Sequence, residues 1–133
     1  MTQTRSEILA PEGSGFIPPK LTYDEFLHKF YGKHVEYVNA KVIGPMTVDL
    51  RHYQLTRFLG SLLQFYVEEK ELGVIFGERF QMKMEFQDGI HGREPDVFFV
   101  TKENLHRLSD RFYDGGADLV VEIISPDSAP RHG

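Results

Sequence analysis

Leu119-Val120-Val121-Glu122-Ile123-Ile124 is a run of aliphatic, mostly β-branched residues broken by one acid. A short run that is apolar throughout reads as a strand covered on both faces, in contrast to the alternation of a strand with one wet side. Such a strand has no place for a bare carboxylate. Taking an ionised carboxyl out of water costs several kcal/mol unless a cation, a metal ion or a set of donors compensates. A second acid stands in the same setting, because Glu94-Pro95-Asp96 leads into the apolar run Val97-Phe98-Phe99-Val100. Two acids at the ends of two buried strands can converge on one cation.

The 133 residues, 41% hydrophobic and 13% aromatic, suffice for one globular domain with a real core. No apolar stretch approaches the ~20 residues that cross a bilayer. Met1 to Ala10 is polar and charged where a secretory signal would be apolar. The expectation is a soluble, cytoplasmic protein with no membrane partner. There are no cysteines, which removes disulfides, thiolate metal sites and cysteine nucleophiles together. Any metal must be held by oxygen or imidazole. The net charge of −5 and a pI near 5.6 weigh against strong non-specific binding to nucleic acid.

Residues 1–19, with Pro11, Gly13, Gly15, Pro18 and Pro19, read as a flexible leader, and 20–133 as one domain. Thr22-Tyr23-Asp24-Glu25 matches a capping box before Phe26, Leu27 and Phe30, which starts a short helix. Val35–Val38 and Lys41–Val48 read as two strands joined at Asn39-Ala40. Asp49 caps a long helix whose Leu55, Phe58, Leu59, Leu62, Leu63 and Tyr66 share one face, with Gly73 as its stop. Phe80, Met82, Met84 and Phe86 alternate with polar residues as in a half-buried strand, with Val74–Phe76 in the same sheet. Gln87 to Arg93 and Asp110 to Ala117 read as loops, and Thr101 as the cap of a helix reaching about Leu108. The fold class is mixed α/β: a central sheet flanked by helices, parallel at its centre, with the amphipathic strands toward an edge.

Asp96 and Glu122 meet the modest needs of magnesium, which takes oxygen ligands and keeps several waters. Each singled-out residue also has a plainer reading. Glu122 can be neutralised by His52, Arg93 or another cation, and Asp96 can be a turn residue after Pro95. His52 can be a hydrogen-bonded core histidine at a helix start, and Glu36 an exposed strand residue paired across to Lys41 or its neighbours. Lys83, on the polar side of its strand, is read as a solvated charge, with the alternative that it serves the site as its lysine if that side faces the cleft. His28, His34, His91, His106 and His132 lack zinc-site spacing and are read as surface.

Pro95-Asp96, a spacer with one helix, then an acid near the end of the next apolar strand resembles the PD-(D/E)XK nuclease superfamily. The finer resemblance, over roughly residues 21 to 128, is to the Uma-two family of endonucleases. It rests on Leu21 to Leu27, the Val35 to Ile43 hairpin, His52 at the head of the long helix, Glu94 to Val100, and Asp118 to Pro126. The resemblance implies a restriction-endonuclease-like fold and hydrolysis of phosphodiester bonds in DNA. It implies that Asp96 and Glu122 hold Mg2+ or Mn2+, with Glu36 and His52 beside them as further catalytic-site residues. Two departures stand out. Ile124 occupies the position where the superfamily carries a lysine, and the chain ends at Gly133, before the lysine-bearing helix and last strand of the family pattern. The expectation is therefore a C-terminally incomplete domain with an open sheet edge that favours a homodimer. An inactive interaction or assembly module is the alternative, and a small-molecule hydrolase using the same acids a third reading.

Overall fold

Local chemistry sets most of the elements. In the computed structural model, which describes residues 21–44, 47–77 and 79–124, Thr22 accepts the N–H of Glu25 while Glu25 accepts that of Thr22. This closes the expected capping box and starts α1 (Tyr23–Lys29). Asp49 accepts the N–H of His52 at 2.8 Å and starts α2 (Leu50–Glu69). The strands are β1 (Glu36–Val38), β2 (Lys41–Ile43), β3 (Gly73–Phe76), β4 (Gln81–Phe86), β5 (Gly89–Arg93), β6 (Val97–Thr101), β7 (Phe112–Asp114) and β8 (Leu119–Val121). A 3-10 helix, Lys102–Arg107, follows β6. The proposed leader lies outside the described residues. No helix among the described residues is long and apolar enough to cross a membrane.

The mixed α/β class holds, with two sheets in place of one, each in its own compact unit. The first unit takes the described residues up to Thr47, with Arg79–Glu94 and Arg107–Gly116. Its sheet runs β2-β1-β5-β4-β7, antiparallel except for the parallel pair β4–β7. β4 lies inside this sheet, not at its edge. Both stretches read as loops supply strands to it. β5 was hidden by its glycines, which serve close approach: a Cβ on Gly92 would meet Gln81 Oε1 and the Tyr23 ring. The core is Tyr23, Phe26, Val35, Tyr37 and Val42, with Tyr23 edge-on to Tyr37 and Phe112.

The second unit holds α2 and the wholly antiparallel sheet β3-β6-β8, so the expected parallel centre and the placing of Val74–Phe76 beside β4 are both corrected. β6 is central and carries the buried Val97, Phe98 and Val100. β8 is the outer strand, and Leu119 and Val120 are exposed, contrary to a strand covered on both faces. Helix α2 ends at Lys70, with Glu71 rather than Gly73 in the left-handed region. Gly73 instead opens β3, where a Cβ would collide with the Val100 carbonyl. Asp118, accepting from Thr101 N at 2.8 Å and from Asn104 Nδ2, ties down the chain entering the 3-10 helix that replaces the expected α-helix.

The β1–β2 turn puts both Asn39 (φ 48°) and Ala40 (φ 75°) in the left-handed region, which alanine adopts at a cost of about 1 kcal/mol. Ala40→Gly is therefore expected to raise stability by about 0.5–1 kcal/mol, read as a higher urea midpoint at unchanged slope.

Candidate functional site

In the second unit the polar centre is Asp96. Pro95 and Asp96 bring the chain into β6, and Val97 pairs with Val121 across the β6–β8 ladder. Carried one residue outward, this antiparallel register sets Asp96 opposite Glu122, and cross-strand neighbours share a face of the sheet. The backbone there is pinned by the Asp96 side chain, whose Oδ2 accepts the N–H of Ile123 at 2.7 Å. The same oxygen lies 3.3 Å from Nε2 of His52. The Asp49 cap fixes the first turn of α2 and so the position from which His52 reaches it. Asp96 is 8% exposed and His52 9%, so this pair is withdrawn from water, while Glu122 is exposed. The buried setting expected of both acids thus applies to Asp96 alone, because Glu122 follows an outer strand.

His52 Nδ1 is buried without a hydrogen-bond partner. With Nε2–H toward Asp96, the other ring nitrogen keeps an unused lone pair. Among the described residues Asp96 engages its partners through Oδ2, and no three His, Cys, Asp or Glu side chains converge to enclose an ion. The donor set at hand is oxygen-based, which suits a hard cation that retains its waters better than a closed cage.

Glu36 belongs to the first unit. Its Oε1 lies 3.0 Å from Arg93 Nε, an ion pair whose N–H is not aimed along a hydrogen-bond direction, and Oε2 accepts the N–H of Glu94. In the β1–β2 ladder Glu36 stands opposite Ile43 and Lys41 opposite Val38. His52 and Arg93, the cations suggested for Glu122, are engaged by Asp96 and Glu36. Lys83 is not simply solvated: its ammonium lies over the rings of Tyr23 and Phe112, at 5.3 and 5.2 Å.

The first unit also holds a chain of buried polar groups that the sequence did not disclose. Glu94 Oε1 lies 2.8 Å from His34 Nδ1, and Glu94 Oε2 accepts from Gln81 Nε2 at 2.9 Å. Gln81 Oε1 in turn accepts the Tyr23 hydroxyl at 3.0 Å. His34 is therefore no surface histidine, and neither is His91, which is partly buried, 3.1 Å from Asp88 and edge-on to Phe86. The signal for Glu94 lies in Glu94-Pro95-Asp96, where two acids, not one, lead into the apolar run. Gln81 gave none, since it sits at a position that alternation marks as polar and wet.

Burial, then the negative charges of Glu94 and Asp114, pushes the Tyr23 phenol well above the usual tyrosine value. A raised value means stability that is fully present below about pH 10 and lost as the pH climbs toward the folded-state value. The Tyr23→Phe variant, which has no such group to ionise, should lose less stability above pH 10 than the parent in urea titrations at stepped pH.

A family model described as Uma2, putative restriction endonuclease, matches residues 23–132. Among solved structures, a putative nuclease belonging to DUF820 from Anabaena variabilis ATCC 29413 is similar with a TM-score of 0.61 and 25% identity. The match covers 85% of this chain and 62% of that one, so the chain spans under two thirds of that protein's length. No curated protein matches.

Proposed function

The chain belongs to the Uma2 family of restriction-endonuclease-like proteins, and on that premise we propose that it is a metal-dependent endonuclease domain acting on DNA, with Asp96 and Glu122 holding Mg2+ or Mn2+. The observation that carries the reading is the cross-strand placement of these two acids in one unit, with the Ile123 N–H fixing the Asp96 carboxylate beside them. When bound, a divalent ion supplies a more acidic water and stabilises charge on the phosphoryl oxygens of an in-line displacement.

The chain's own groups have separate tasks. Asp96, held through Oδ2 by His52 and the backbone, offers its other oxygen in a fixed direction. Glu122, just past the end of β8, is exposed and would offer its carboxylate to the same ion from across the ladder. His52 positions Asp96 through Nε2. Glu36 belongs with Arg93 and the Glu94 backbone as a supporting group of the first unit. Ile124 cannot polarise a water, so the lysine of the superfamily pattern must come from elsewhere.

The second reading, an inactive assembly module, is favoured by Ile124 and by the exposure of Glu122. Manganese titration by calorimetry separates the two. The parent is expected to give a binding isotherm that Asp96→Asn with Glu122→Gln abolishes, and nicking of supercoiled plasmid in Mn2+ is expected to fall to background in the same variant. An absence of heat in the parent refutes the metal site. His52→Ala should weaken manganese binding by roughly 10-fold, as loss of an orienting partner does in other metal sites.

A further inference from the structure

Helix α2 lays His52, Leu59, Leu63 and Val67 toward its sheet, and on another side it leaves a row of large apolar groups in water. Leu55 is 44% exposed, Phe58 62%, Leu62 53% and Phe65 67%. Their spacing alternates three and four residues, the pattern of a coiled-coil seam. The same spacing continues to Arg51 at one end and to Glu69 at the other, both exposed. These charges run against the dipole of their own helix. Arg51 stands in the first turn, where acids are favoured, and Glu68 and Glu69 in the last, where bases are, and α2 has no acid in its first turn and no base in its last.

A second α2 laid antiparallel resolves both features, since the row is its own complement about an axis level with Gly60. Arg51 then faces Glu69 of the second copy, Leu55 faces Phe65, and Phe58 faces Leu62, each contact repeated by symmetry. Every apolar layer sets one ring against one leucine, so no layer crowds two rings. The seam runs about 27 Å along the helix. We propose that the outer face of α2 is a self-docking surface, through which two copies of this chain join as an antiparallel, two-fold helix pair locked at both ends by Arg51–Glu69 ion pairs.

Sedimentation velocity of the full chain over a wide concentration range, without metal, tests the pairing apart from any nuclease activity. The parent is expected to dimerise. Arg51→Glu and Glu69→Arg should each weaken the dimer by about tenfold or more, because like charges then face each other at both ends. An equimolar mixture of the two variants brings unlike charges back together and should recover the parent's affinity. Each reversal also suits the helix dipole, so far-UV circular dichroism should show both variants folded, and loss of the dimer is then not loss of the helix. The proposal is overturned by a parent that stays monomeric at every concentration, as when another segment or partner covers this face. A dimer indifferent to the reversals, or a mixture that fails to recover, overturns it equally.

Discussion

Three carboxylates, Glu36, Glu94 and Asp96, are more than nine-tenths buried, and the need to compensate them organises both units. Glu94 takes His34 and Gln81, which ties the segment before β1 to β4 and to the end of β5. Glu36 takes Arg93 and the Glu94 backbone, binding β1 to β5 a second time. Asp96 takes His52 and the Ile123 N–H, which joins the start of α2, the entry to β6 and the exit from β8. A carboxylate withdrawn from water and left without such donors carries its desolvation cost uncompensated. Each acid is thus a joint between elements distant in sequence, and the hydrophobic core alone would leave their relative positions looser.

The local elements were legible because their chemistry is local. The Thr22–Glu25 box and the Asp49 cap are read from spacing alone and occur as expected. Pro95-Asp96 before an apolar run was enough to single out a buried acid. What stayed hidden depends on distant partners. Gly89 and Gly92 look like a loop until Asn39, Gln81 and Tyr23 occupy the space where side chains would be. The run at Leu119 looks like a core strand because composition does not report that nothing pairs with its outer side among the described residues. The face of α2 was misjudged for the same reason: two apolar rows share the helix, and periodicity does not tell which meets the sheet.

The proposed pairing of the two acids rests on register rather than on burial. Burial holds for Asp96 and fails for Glu122. Register replaces it, since an antiparallel ladder through Val97 and Val121 faces the next two residues toward each other whatever their exposure. Glu36, grouped with them by the family resemblance, belongs to the other unit, where its charge is already met by Arg93.

Each unit is assembled from three separate stretches of chain that alternate along the sequence. During synthesis, β4 waits for β7 to emerge before the larger sheet is whole, and β6 waits for β8 before the smaller one is. The last strands of both leave the ribosome within a few residues of each other. No contiguous fragment can therefore be excised as a self-sufficient half, and the nascent polypeptide must hold its early hydrophobic segments uncommitted until Val121 has emerged from the ribosome. That is a burden chaperones, rather than the ribosome, are placed to carry.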